Sequence, residues 1–237
     1  MMTKIKHVKV LIVVFGLFLS HSLLAQHHFG AKLGLGISKS DKNINSSEYI
    51  GFESKYAPSG TLGLYYNYEL NERFFIGVDL MCSQLNGREN GAFYSKNYEM
   101  DGEETVVVLE EFMYWSIKRH FTYLTLPIYV GINLKELQFS VGLQWGVLFR
   151  ERIIRVTNFH ESEGVPESIV KSKNSVVDPL DFGINLGLRY SFNEKWKVHA
   201  NFYHGMNDLN VPNEFDLEPT NPWHNSQFTV GISYRLI

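Results

Sequence analysis

The sequence predicts an all-β protein, an eight-stranded antiparallel up-and-down transmembrane β-barrel that follows an N-terminal signal peptide. Three observations predict it: a basic and then apolar N-terminal segment, eight segments of strictly alternating polarity, and short turns that alternate with long connections. The predicted division is a signal peptide over 1–25 and a barrel domain over 26–237.

The N-terminal segment has the features of a secretory signal peptide. Lys4, Lys6 and Lys9 form a basic region, and residues 10–19 are an apolar run of ten residues. That run is about half of the roughly twenty residues that a membrane-spanning helix needs. Ala25 supplies a small residue at a plausible cleavage point. An uncleaved anchor is the alternative. No later apolar run is long enough for a membrane helix, so membrane residence requires a barrel or surface attachment.

Eight later segments alternate apolar and polar or small residues, which is the period of a β-strand with two unlike faces. In the first, Phe29, Leu33 and Leu35 lie on one face, and Lys32 and Gly34 lie on the other. The eight segments are 29–38, 61–70, 74–83, 124–134, 137–147, 180–190, 196–203 and 227–236. Their length of about nine to eleven residues suits a tilted strand that crosses a bilayer.

The connections between these segments alternate in length. The short ones are 71–73, 135–136 and 193–195, and the long ones are roughly 39–60, 84–120, 150–179 and 205–225. This alternation is typical of an outer-membrane barrel with both termini in the periplasm. Pro127 cannot donate a backbone hydrogen bond, so we expect a bulge or the end of regular pairing there.

The polar face carries charges of both signs, which favours a narrow lumen in which they can pair. The predicted lumen cluster is Lys32, Glu69, Asp79, Asp181, Arg189, Lys197, His199 and Arg235. Many glycines share this face, as expected where eight strands leave little interior room. A soluble, periplasmic lipocalin-like binding barrel, with the apolar face inside, stays open as the alternative because alternation alone does not say which face points inward.

The composition excludes several classes of protein. Hydrophobic residues make up 44% of the 237 residues and charged residues 20%, which excludes a disordered chain. The net charge of −3 gives no electrostatic case for nucleic acid. Cys82 is the only cysteine, so neither an intrachain disulfide nor a cysteine-based zinc site is possible. No cofactor or metal site is predicted.

Several segments resemble the PorT-like outer-membrane β-barrel family of Bacteroidetes-type bacteria over most of the chain after the signal peptide. The most telling are Tyr123, Leu124 and Pro127 in the fourth segment and Asp181-Phe182-Gly183 in the sixth. Thr125 stands where the family usually has an acidic residue, and the final Ile237 departs from the common terminal aromatic. The resemblance implies location in the Gram-negative outer membrane; a few relatives take part in type IX protein secretion, and most have no assigned activity.

The residues support three functional hypotheses. The first is a non-enzymatic structural or accessory barrel that contacts outer-membrane lipid, and envelope or secretion proteins through its long loops. The second is a narrow channel. The third is an outer-membrane hydrolase or acyltransferase built on His199, an inward serine and Asp79 or Asp181. Nothing in the sequence places these residues at the same height in the barrel.

One long connection is unusually apolar. Residues 102–115 include a run of valines and end in Tyr114 and Trp115. We interpret the run as a hairpin that continues the third and fourth strands above the membrane. The alternative is an adhesive surface that docks a partner protein or a lipopolysaccharide core.

Overall fold

The computed structural model describes residues 27–42, 49–101, 104–159, 168–172, 178–209 and 223–237, so the predicted signal peptide lies outside the described residues. The strands are β1 (His27–Lys42), β2 (Tyr49–Glu69), β3 (Phe74–Asp101), β4 (Glu104–Leu134), β5 (Leu137–Phe159), β6 (Ser168–Ser172), β7 (Leu180–Ser191), β8 (Trp196–Gly205) and β9 (Trp223–Arg235). Across these ranges we find no helix with the length and apolar character needed to cross a membrane.

Eight of the strands form one closed antiparallel ring. Each pairs with its neighbours in chain order, β4 pairs with β5, and β9 returns to pair with β1. The remaining strand, β6, pairs only with residues 153–157 of β5, outside the ring. The predicted all-β, eight-stranded up-and-down barrel is therefore confirmed.

The three short turns lie where the sequence places them, and two are held by asparagine side chains. Asn71 Oδ1 accepts hydrogen bonds from the backbone N–H groups two and three residues later, at 2.8 and 2.9 Å. Asn193 Oδ1 does the same at 2.9 and 2.8 Å. In the third turn, Lys135 adopts a φ of 57°, in the left-handed region. These turns fix the register of the strands that follow them.

The first three long connections contain strand residues that the sequence analysis assigns to loops, whereas most of the fourth, 205–225, lies outside the described residues. β2 begins at Tyr49, β3 and β4 pair from Asp101 and Glu104 downward, and β5 continues to Phe159. The prediction relied on contrast between an apolar and a polar face. Beyond the bilayer both faces can be polar, so that contrast fades while the backbone ladder continues. The interpretation of 104–115 as a strand hairpin is confirmed.

No bulge forms at Pro127, but regular pairing with β3 lapses at 126–127, which is the second outcome that the prediction allowed. Pairing with β5 runs through Pro127, which lies opposite Gln144. On the β3 side, pairing skips two residues and resumes in the same register, from Ile128 opposite Val78 to Thr125 opposite Met81. Proline lacks the N–H group for the ladder, and the loss stays local because the β5 side remains paired.

The ring has an apolar outer surface and a polar interior. Outward leucines are widely exposed, for example Leu35 (71%) and Leu126 (39%), whereas inward Lys32 (4%) and Asp79 (2%) are buried. The soluble-barrel alternative requires the opposite arrangement and is wrong. Aromatic pairs lie close to the short turns, where a bilayer interface favours them. They are Trp196 with Tyr234 and Tyr190 with Phe192, with ring centroids 4.7 and 5.1 Å apart.

Candidate functional site: the barrel lumen

The structure divides the eight predicted lumen residues into three groups at different heights. Six are buried and two, Glu69 and Arg235, are partly exposed near the short turns. The central group is Lys32, Asp79, Arg189 and His199; the group at the short-turn mouth is Glu69, Lys197 and Arg235; and Asp181 lies apart, toward the opposite end.

The central group is organised around one buried carboxylate. Lys32 Nζ lies 2.6 Å from Asp79 Oδ2, and the Tyr129 hydroxyl donates a hydrogen bond of 2.6 Å to Asp79 Oδ1. The Asn67 amide bridges Tyr129 and Arg189: its Nδ2 donates to the hydroxyl at 2.8 Å, and its Oδ1 accepts from the guanidinium at 3.0 Å, in the amide orientation that satisfies both groups. Lys32 thus contacts the carboxylate directly, and Arg189 is linked to it through Asn67 and Tyr129.

Aromatic rings fill the lumen around this network. The Arg189 guanidinium lies 4.8 Å from the Tyr129 ring centroid and 5.9 Å from that of Phe75. Each ring lies over a glycine, because a Cβ atom on Gly77 would be 2.3 Å from the Tyr129 ring and one on Gly131 would be 2.2 Å from Phe75. The glycines of the polar face therefore make room for the aromatic side chains that close the interior.

The lumen does not assemble a nucleophile, a base and an acid among its described residues. Neither ring nitrogen of His199 has a hydrogen-bond partner there. The Ser83 hydroxyl bonds Thr125 at 3.0 Å. The Asp181 carboxylate accepts hydrogen bonds from the Tyr203 hydroxyl at 2.6 Å and from Asn225 Nδ2 at 3.0 Å. The proposed Ser–His–Asp geometry is therefore not formed in this part of the chain.

An apolar cluster, which alternation within the bilayer does not predict, closes the end of the lumen that carries the long strands. Its members are Leu85, Phe121, Tyr123, Leu209 and Trp223, with Leu148 packed against them. Phe121 contacts the Trp223 ring at a centroid distance of 6.0 Å. Two-residue spacing from Ile117 through Phe121 and Tyr123 could have revealed it, had the alternation been followed beyond the bilayer.

A buried ion pair lies above this cluster. Arg119 donates two hydrogen bonds to the Glu89 carboxylate, from Nε at 3.0 Å and from Nη2 at 2.9 Å. The same guanidinium lies 4.3 Å from the Trp223 ring centroid. A two-bond arginine–carboxylate pair fixes both side chains, so it holds the apolar cluster in place.

The cavity beside Asp79 is small. It has a volume of about 30 Å³, and its walls include Ser83, Gln144 and Asn201. Such a volume holds a water molecule or two. At the short-turn mouth, a shallow depression of about 550 Å³ is lined by Glu69, Lys197 and Arg235 together with turn residues. Within the described residues, no group of three or more His, Cys, Asp or Glu could hold a metal ion.

A closed ring of antiparallel strands with an apolar outer belt and a polar, filled lumen defines an integral outer-membrane β-barrel protein. The chain belongs to the outer membrane protein beta-barrel domain family, whose family model matches residues 24–211. It lies in the outer membrane. From the general rule for such barrels, we expect its short turns on the periplasmic side and its long strands on the extracellular side. No curated protein matches the chain.

Several solved outer-membrane structures are similar to this chain. Ail, the attachment invasion locus protein of Yersinia pestis, is 12% identical, with 89% of this chain and 99% of that chain covered and a TM-score of 0.40. OprG from Pseudomonas aeruginosa is 17% identical, with 89% and 96% covered and a TM-score of 0.37. The outer membrane protease OmpT from Escherichia coli is 8% identical, with 88% and 97% covered and a TM-score of 0.37.

Proposed function

We propose that this protein is a non-enzymatic, non-conducting outer-membrane barrel that acts as an accessory to other envelope proteins through its extracellular strand extensions. The observation that carries the proposal is the occupied lumen: the polar network at Asp79 and the apolar cluster at Phe121 lie at two heights within it, and the cavity beside Asp79 measures about 30 Å³. With the interior occupied, the surfaces that remain for binding are outside the ring.

The extracellular extension supplies such a surface. β3 and β4 remain paired up to Asp101 and Glu104, whereas their pairing with β2 and β5 ends at Phe93 and Met113. Beyond these two residues β3 and β4 form a two-stranded arm. An arm of this kind offers backbone and side-chain contacts to a partner without any change in the barrel. The resemblance to PorT-like proteins makes protein export, including type IX secretion, the process in which we expect the arm to act.

The channel alternative predicts conductance. We expect the purified full-length barrel in planar bilayers to give no current steps above those of the bare bilayer, because the Asp79 network and the apolar cluster occupy the lumen. Steps are to be recorded with 1 M KCl on both sides, beside a porin of known conductance. Wild-type steps that disappear when Ser83, in the cavity wall, is changed to Phe would establish conduction through the lumen and overturn the proposal.

The accessory role is tested by trimming the arm. Phe93 and Met113 lie opposite each other, so residues 94–112 can be replaced by Asn-Gly, which closes a two-residue hairpin. We expect the trimmed protein to reach the outer membrane at the wild-type level. It should nevertheless reproduce the changes in outer-membrane and exported proteins that a gene deletion causes, as measured by quantitative mass spectrometry.

His199→Ala is the matched control, because it changes the lumen and leaves the arm intact. We expect its protein profile to match the wild type. A deletion-like profile for His199→Ala at normal protein level, with a wild-type profile for the trimmed chain, would favour lumen chemistry and contradict the proposal.

A further inference from the structure

The outer face of β2 to β5 carries rows of cationic side chains above the apolar belt. In the first row, Lys55 lies opposite Arg88, which lies opposite Lys118 on the next strand. In the second row, His120 lies opposite Arg152. Arg150 follows two residues closer to the membrane, opposite Thr122. We call Lys55, Arg88, Lys118, Arg150 and Arg152 the basic patch.

All five side chains of the basic patch are exposed. Among the side chains described on this outer face above the belt, Glu53 is the one carboxylate, and it pairs with Lys55 at 2.9 Å. Glu89 and Glu151 lie on strands of the same sheet but follow the inward register, opposite Ile117 and Phe121. The outer face therefore carries a clear excess of positive charge.

This arrangement is unfavourable without a counter-ion. Side chains directly opposite on antiparallel strands have Cβ atoms about 5 Å apart, and like charges at that separation destabilise the pairing. Burial, together with the neighbouring Arg152 and Lys118 cations, lowers the pKa of His120. A ligand that brings negative charge to this face would relieve the repulsion.

The position of the patch indicates what kind of ligand fits. On β5 only three positions separate the lipid-facing Val147 from Arg150, and the highly exposed Phe149 (84%) lies between them. On β4 six positions separate Leu124 from Lys118. The basic patch therefore adjoins the apolar belt at Arg150, and an amphiphile with acyl chains and an anionic head group can contact both parts there.

We infer that the basic patch binds the phosphate groups of a phosphorylated glycolipid of the outer leaflet, whose acyl chains lie against the apolar belt below. Guanidinium groups bind phosphate oxygens through paired hydrogen bonds, and lysines add point charges. Clusters of basic residues beside a membrane are typical binding sites for anionic lipid head groups. The inference concerns the barrel wall, so it is independent of the arm proposed above.

The test uses the full-length protein in detergent micelles, titrated with purified bisphosphorylated lipid A and analysed by native mass spectrometry. We expect saturable binding that weakens at least about tenfold in Arg88→Gln/Lys118→Gln, because two charged donors are lost. Dephosphorylated lipid A should bind at least about tenfold more weakly than the bisphosphorylated form. Heat-modifiable migration on gels verifies that each variant is folded.

The matched control is Arg73→Gln/Lys195→Gln, which removes the same charge from exposed periplasmic turns. Its affinity should stay within about twofold of wild type, since these side chains lie at the opposite membrane surface. Equal weakening in both variants, or equal binding of dephosphorylated lipid A, would overturn the inference. So would a patch that binds inorganic phosphate or polyglutamate as tightly as it binds the lipid.

Discussion

Asp79→Ala is expected to lower the free energy of unfolding by about 3–5 kcal/mol, the usual cost of removing one partner from a buried ion pair. Asp79 is the carboxylate that Lys32 contacts at 2.6 Å, and it also accepts the Tyr129 hydroxyl. Without it, Lys32 and Arg189 remain buried as two cations with no carboxylate in their network. The measurement is urea unfolding of the protein folded in lipid vesicles, followed by tryptophan fluorescence.

The double variant Lys32→Met/Asp79→Asn separates lost charge from lost packing. It removes both charges, keeps similar volumes and leaves an amide oxygen to accept from Tyr129. Replacing a buried pair as a unit costs much less than breaking it, so we expect most of the stability to return. If the single and double variants were equally unstable, the charge of Asp79 would not be what stabilises the lumen.

The strands within the bilayer were predictable because the membrane imposes a contrast between two faces. Lipid lies on one side of each strand and a narrow polar lumen on the other. Apolar residues such as Leu126 therefore face outward, and polar residues such as Asp79 face inward. The polarity and partial burial of the lumen cluster follow from the same contrast. The arm was not predictable in this way, since neither of its faces meets lipid.

The partners of the lumen charges could not be read from the sequence. Lys32 and Asp79 lie on β1 and β3, which are separated by β2. On β2, Lys32 is opposite Gly63 and Asp79 is opposite Tyr65, so the two charged residues meet diagonally across that strand. Their contact depends on the register of β1 with β2 and on the register of β2 with β3. Alternation specifies which face of a strand a residue lies on but not its height in the barrel.

The apolar cluster at the extracellular end was missed for a related reason. Leu209 and Trp223 flank the last long connection, and only closure of the ring brings them to Phe121. The basic patch depends on register in the same way, because Arg88 and Lys118 are thirty positions apart in the chain and directly opposite in the sheet.

Ile128→Arg is expected to destabilise the folded barrel by about 2–4 kcal/mol, the range for a cation on the lipid face at the bilayer midplane. Ile128 lies near the middle of the membrane-spanning part of β4 and is 48% exposed, so the new side chain would extend into hydrocarbon. Leu134→Arg is the matched control. It lies on the same strand and the same face, is 54% exposed, and is adjacent to the periplasmic turn at Lys135.

A cation near the interface costs about 0–1 kcal/mol because its head group reaches water and lipid phosphates. The difference in unfolding free energy between the two variants is measured by urea unfolding in the same vesicles. It depends on depth in the membrane, since the effect of introducing arginine is common to both variants. Equal losses at both positions would mean that the belt around Ile128 does not lie deeper in the membrane than Leu134. That outcome would contradict the placement of β4 across the bilayer, whereas a difference of 2 kcal/mol or more would set the midplane of the barrel near Ile128.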